Sequence, residues 1–154
     1  MSLGLYLHIP YCFSKCRYCD FYSAPGQRGG PRAYVDALLR ELSRFAPDAP
    51  LRPDTLYFGG GTPSLLDPAD AARLIAAAQP LPGAEITLEA NPETVTEDSL
   101  RAFREAGVNR ISFGVQSARD SQLKTLGRPH TAKQARAAFA AARRAGFENI
   151  SGDI

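Results

Sequence analysis

The chain has 154 residues, 44% hydrophobic and 22% charged, a composition ordinary for a globular chain and one that excludes global disorder. Eighteen basic against sixteen acidic residues leave a formal charge of +2, too small to argue for nucleic acid or an acidic membrane surface as partner. No apolar run approaches the roughly 18 residues of a membrane span, and the length suits one sizeable core or a piece of something larger.

Leu3–Ile9 is the first apolar run. It is short, has no basic leader and runs straight into Tyr11-Cys12, so it reads as a buried strand and not a secretion signal. All three cysteines follow within Cys12–Cys19. An odd, clustered set cannot form a disulfide framework and points instead to metal or cluster ligation in a reducing compartment, the cytoplasm. Residues 23–31 form a Gly/Pro-rich loop. Pro31 suits a first helical turn, and Tyr34, Val35, Leu38, Leu39, Leu42 and Phe45 form one apolar stripe behind it.

Thr55–Phe58 is the second strand and ends in Gly59-Gly60-Gly61. Asp67 caps a helix that begins at Pro68 and carries Leu74 and Ile75. Glu85–Glu89 is the third strand, stopped by the Asn91-Pro92 turn. Thr96 caps the next helix, with Glu97 and Asp98 in its first turn, Leu100 and Phe103 inward and Gly107 at its end. Arg110–Val115 is the fourth strand. Thr131 caps a long helix with Ala135, Ala138, Phe139 and Ala142 inward and Gly146 as its stop. Asn149–Ile154 opens a fifth strand.

Strands alternating with helices predict βαβ units, a parallel sheet and right-handed crossovers. Five strands with outer helices fit either an open doubly wound sheet or part of a (β/α) barrel. The last strand has nothing to cover it, so the chain reads as the N-terminal part of a longer one.

Cys12-x3-Cys16-x2-Cys19 carries the strongest chemical signal. Three thiolates on one loop can wrap a single iron–sulfur cluster. A four-iron cube wants four ligands, and with three local cysteines one iron stays open. The competing arrangement is a Cys3His zinc site that recruits His8. Lys15 and Arg17 make the loop a thiolate-stabilising setting, not an apolar one.

Other polar residues gather at strand ends. Gly60, Gly61 and Thr62 allow close backbone approach to a ligand, although GGGTP is equally a tight strand-to-helix turn. It has neither the G-x-G-x-x-G of dinucleotide folds nor a P-loop lysine. Glu89 among apolar neighbours is costly unless paired or liganded. Gln116 ends the fourth strand with an amide suited to hydroxyls or a carboxylate. Arg128 offers a fork for a carboxylate, and Asp153 an acceptor. The carboxyl edge of parallel strands is where such folds bind ligands.

Tyr6-x-His8-Ile9-Pro10-Tyr11-Cys12-x3-Cys16-x-Tyr18-Cys19-Asp20-Phe21 resembles the radical SAM superfamily. Within it, the chain is similar to the oxygen-independent coproporphyrinogen-III-oxidase-like branch that includes heme chaperones, over essentially all 154 residues. The resemblance implies an α/β fold of parallel strands, a partial TIM-like (β/α) barrel truncated in the fifth strand. Residues 1–154 would be the N-terminal part of the core domain, with the rest of the barrel and a C-terminal domain absent. It implies a [4Fe-4S] cluster on Cys12, Cys16 and Cys19, with S-adenosylmethionine chelating the open iron and cleaved by one electron. The cofactor's amino group would meet Gly60, Gly61 and Thr62. Glu89, Gln116, Arg128 and Asp153 would hold the rest of it, with Tyr6 and Tyr18 bordering it.

Two functions follow from the branch: a chaperone that binds heme and delivers it to acceptor proteins, or a dehydrogenase that oxidatively decarboxylates coproporphyrinogen III. The dehydrogenase pattern resembles C-x3-C-x2-C-x-C and carries an extension before the first strand. Here Phe21 stands at the fourth cysteine position and the first strand begins at Leu3, which favours the chaperone. The third possibility is a zinc-stabilised binding module without chemistry.

Overall fold

In the run Thr55–Gly60, Leu56 and Phe58 are fully buried while Tyr57 between them is not. That period of two is the signature of a strand with two unlike faces. A computed structural model, which describes residues 2–25, 32–45 and 49–154, shows such strands assembled side by side. The elements in chain order are β1 (Gly4–Ile9), β2 (Tyr11–Cys12), β3 (Ala24–Pro25), α1 (Arg32–Phe45), β4 (Thr55–Gly60), α2 (Pro68–Ala78), β5 (Glu85–Ala90), α3 (Glu97–Glu105), β6 (Arg110–Gly114), α4 (Asp120–Leu126), α5 (Ala132–Arg144) and β7 (Asn149–Asp153).

Five strands form one all-parallel sheet in the order β1-β4-β5-β6-β7. Strand order follows chain order, so right-handed crossovers put the core-forming helices α1, α2, α3 and α5 on the same face. That decides between the two architectures the sequence allowed. A doubly wound sheet reverses direction and covers both faces; this one is a segment of a (β/α) barrel wall, not a closed barrel.

The helix-covered face holds the core. Leu7, Ile9, Leu56, Phe58, Leu88, Ile111 and Phe113 from the sheet pack with Val35 and Leu42 of α1, Leu74 of α2, Leu100 and Phe103 of α3 and Ala142 of α5. The opposite face carries Tyr6, His8, Tyr57, Thr87, Glu89, Arg110, Ser112 and Ser151, aligned by register across the strands. It is held by polar contacts: Arg110 donates to Thr87 Oγ1 (3.2 Å) and Ser151 Oγ (2.9 Å), and Ser151 donates to Ser112 (3.0 Å).

The helix caps are as expected. Asp67 accepts from the Ala69 N–H, and Thr96 and Thr131 each form a capping box, with Ser99 and Gln134 as return partners. Gly107 and Gly146 follow the ends of α3 and α5 with positive φ. Pro31, and residues 26–31 of the predicted loop, lie outside the described residues. Phe45 departs from its stripe. It ends α1 at 77% exposure, roughly a quarter turn from the line through Val35 and Leu42. The fourth strand stops at Gly114, one residue before Val115, because Gln116 turns into the left-handed region at φ 67. The short helix α4 and the β2–β3 pair have no counterpart in the sequence reading.

Candidate functional site

The carboxyl ends of the parallel strands border a cavity of about 320 Å3. Cys12, Cys16 and Cys19 are free thiols in its wall. Their loop is tied down at several points. Ala24 N–H donates to Pro10 O (2.7 Å), Cys19 N–H to Cys16 O (3.1 Å), and Arg17 N–H to Leu126 O at the end of α4 (3.4 Å). Two sulfurs already accept hydrogen bonds: Cys12 Sγ from the Thr62 hydroxyl (3.6 Å) and Cys16 Sγ from Arg128 Nη1 (3.2 Å).

The glycine loop beyond β4 presses against this segment. Gly61 N–H donates to Ile9 O (2.8 Å), Thr62 N–H to Tyr11 O (2.6 Å), and Gly60 N–H to Glu89 Oε2 (3.2 Å). All three amide donors are engaged, so the loop is no phosphate cradle. What Gly60 and Gly61 retain for a ligand is carbonyl oxygen, which suits a cation such as an ammonium.

Glu89 faces the cavity from the end of β5. The Tyr57 hydroxyl donates to its other oxygen (2.8 Å). Burial raises the Glu89 carboxyl above the ordinary carboxylate range, while the bonds from Tyr57 and Gly60 pull the other way. Tyr57 is itself pushed up, first by burial and then by this carboxylate. Tyr18, half-exposed on the cysteine loop, lines the cavity too, its phenol raised by burial. Gln116 lines it from a backbone conformation that non-glycine residues rarely adopt, with its N–H donating to Asp153 O (2.7 Å) at the end of β7. Such conformations concentrate at functional sites.

Arg128 comes from the loop after α4. Its Nη2 donates to Asn91 Oδ1 (2.9 Å) and to the Gly114 carbonyl. His130, fully buried two residues on, braces that loop. Its ring nitrogens lie 3.0 Å from the Glu93 carboxylate and 3.0 Å from Val115 O. Among the described residues two buried side-chain polar atoms lack a hydrogen-bond partner, Ser23 Oγ and Arg128 Nε. Both residues line this cavity. Unpartnered buried polar atoms are rare in folded proteins, and a bound ligand or an ordered water would satisfy these two.

The donor set fits an iron–sulfur cluster: three unpaired thiols on one wall, with a hydroxyl and a guanidinium aimed at two of the sulfurs. The mononuclear zinc arrangement fits less well. His8 Nε2 faces Tyr22 O (2.8 Å) and must donate, leaving Nδ1 to accept from the Tyr6 hydroxyl (3.2 Å). Among the described residues no three His, Cys, Asp or Glu side chains converge on one ion. A cube takes its thiolates at separate corners and needs no such convergence.

Eleven of the twelve residues predicted from sequence line this one cavity. Tyr6 does not. It sits one step down the polar face, stacked on Tyr57 at 6.0 Å between ring centres. The sequence reading missed Asn91, taken only as a turn, and Tyr57, taken only as strand. A signal existed for both. Asn91 is two residues beyond Glu89 along an extended chain and so on the same side, and Tyr57 alternates with the buried Leu56 and Phe58.

The family model of the radical SAM superfamily matches residues 6–154 of this barrel-wall α/β fold with its thiol-lined cavity at the strand ends. The chain belongs to the radical SAM superfamily. It is 44% identical to "Heme chaperone HemW" of Escherichia coli (strain K12), with 99% of this chain and 42% of that protein covered. It is 39% identical to "Radical S-adenosyl methionine domain-containing protein 1, mitochondrial" of Bos taurus, with 98% and 35% covered. Among solved structures, that of coproporphyrinogen III oxidase (HemN) from Escherichia coli, described as a radical SAM enzyme, superposes with a TM-score of 0.87 at 32% identity, covering 99% of this chain and 36% of that one. The chain thus spans about two fifths of the length of the relatives it matches. Among the described residues, no helix is long and apolar enough to cross a membrane.

Proposed function

We propose that residues 1–154 form the N-terminal part of a radical SAM core that binds a [4Fe-4S] cluster and S-adenosylmethionine, and that the whole protein is a cytoplasmic heme chaperone, carrying heme to acceptor proteins. The observation that carries the cofactor site is the pair of orphaned polar atoms, Arg128 Nε and Ser23 Oγ, in a cavity that three free thiols also line. Cys12, Cys16 and Cys19 would hold the cluster, which when bound supplies one-electron reduction of the sulfonium. The chain's other groups divide the cofactor between them. Glycine-loop carbonyls and the Glu89 carboxylate suit its ammonium, the unpartnered Nε–H of Arg128 its carboxylate, and Gln116 and Asp153 its hydroxyls.

The chaperone role rests on the names of the relatives and on Phe21, which lines the cavity where the dehydrogenase pattern has a cysteine. The likeness to HemN favours a second reading, coproporphyrinogen III dehydrogenase. The test reconstitutes the full-length protein without oxygen. Iron and sulfide near four each and a cluster spectrum altered by S-adenosylmethionine are expected. Heme should bind, and coproporphyrinogen III should be recovered unchanged. Decarboxylated product would replace the chaperone by the dehydrogenase, and a zinc-loaded protein would overturn both.

A further inference from the structure

Asn91 opens the short 3-10 turn after β5, yet its side chain makes no capping bond there; the turn uses its carbonyl, which accepts from Thr94 N–H (3.0 Å) and Thr94 Oγ1 (2.8 Å). The amide lines the cavity instead and joins two residues that each touch a cysteine sulfur. Arg128 is a pure donor, so the atom facing its Nη2 at 2.9 Å is Oδ1. That turns Nδ2 toward Thr62 Oγ1 at 3.1 Å. Thr62 Oγ1 then accepts from Asn91, and its own hydrogen points on to Cys12 Sγ at 3.6 Å. Arg128 Nη1 meanwhile donates to Cys16 Sγ at 3.2 Å. With Cys12 as a thiolate, every bond along this path has one permitted direction. It begins at a guanidinium whose place against β6 is open only because residue 114 is glycine: a Cβ there would lie 2.5 Å from Nη2.

We propose that Asn91 is a positioning residue for the cluster: by bridging Arg128 and Thr62 it keeps a hydrogen-bond donor on both Cys16 and Cys12. This rests on the cluster-binding reading above. Donors to ligand sulfur stabilise the more negative, reduced cluster and raise its potential. Without the amide, the Thr62 hydroxyl is free to rotate away and the guanidinium loses one of its anchors, so both sulfurs lose donation at once.

The test is the midpoint potential of the anaerobically reconstituted full-length protein, with Asn91→Ala, Thr62→Val and the double variant compared at equal iron content. Asn91→Ala is expected to move the potential to a more negative value, and to move it less when residue 62 is already valine. Melting of the metal-free Asn91→Ala protein should stay near that of the parent. If Asn91→Ala loses the cluster, Asn91→Leu, close in volume but without the amide, is read in its place. A parent protein with a cluster and a variant with unchanged potential, or shifts that simply add, would overturn the role of Asn91 alone. A parent protein that takes up no four-iron cluster would overturn the reading beneath it.

Discussion

At the scale of single residues, Glu89 is a carboxylate whose environment opposes its charge. Burial raises it most, and the bonds from Tyr57 and Gly60 only partly compensate. Because the folded carboxyl keeps its proton to higher pH than the unfolded one, its contribution to stability is full below the ordinary carboxylate range. That contribution is lost as pH rises through the raised folded value. In Glu89→Gln it has no titration to lose, and the amide can still satisfy both Tyr57 and Gly60. Denaturation of the metal-free protein from mildly acidic to neutral pH should therefore show Glu89→Gln gaining stability on the parent as pH rises. A difference between the two that does not change with pH would refute this account of Glu89. On the proposed function, a bound ammonium would supply the missing compensation. The sequence made Glu89 and the cysteines legible because a charge in an apolar strand and three close thiols have few structural uses. Asn91 and Tyr57 stayed hidden because a turn and a strand already explain them, and only the fold shows which neighbours they face.

Between elements, the contact that shapes the site is that of the glycine loop with the β1–β2 junction. Gly61 and Thr62 donate to carbonyls on either side of that junction, and a Cβ on Gly61 would lie 2.6 Å from Tyr11 O and 2.9 Å from its C and N atoms. These are backbone atoms and cannot swing aside. Gly61→Ala is expected to force the loop from the cysteine segment at a cost of about 1–3 kcal/mol. It should lower both the unfolding midpoint of the metal-free protein and the iron retained after reconstitution. Wild-type values of both would mean the two segments are less tightly joined than the structure shows. The main strands and capped helices were legible because each carries its own signal, alternation or a cap with its partner three residues on. The β2–β3 pair and α4 were not. Two-residue strands have no period to detect. The seven residues of α4 bury only Leu123, and its N-cap residue Arg119 makes no side-chain capping bond. Tertiary contact holds it, with Leu126 O accepting from the cysteine loop and Asp120 accepting from Ala132 N–H at the start of α5 (2.8 Å).

For the molecule as a whole, the sheet divides its labour by face, and β6 shows it within three residues. Ile111 and Phe113 are fully buried under the helices, with Phe113 packed on Phe139 of α5 at 5.0 Å between ring centres. Ser112 between them points the other way, accepts from Ser151 and borders the cavity. The apolar core lies on one side and the candidate site on the other, so substitutions on the two faces should separate cleanly. Phe113→Ala removes a large core side chain and should cost about 3–5 kcal/mol. Ser112→Ala takes one acceptor from Ser151, whose oxygen still accepts from Arg110, and should cost about 0.5–1.5 kcal/mol. Urea unfolding of the metal-free variants measures both. The split also predicts that whatever Phe113→Ala protein remains folded binds iron at the parent ratio, since no cavity residue has changed. If Ser112→Ala were as destabilising as Phe113→Ala, the polar face would be part of the core. The sheet would then need its open side covered for folding itself and not only for chemistry.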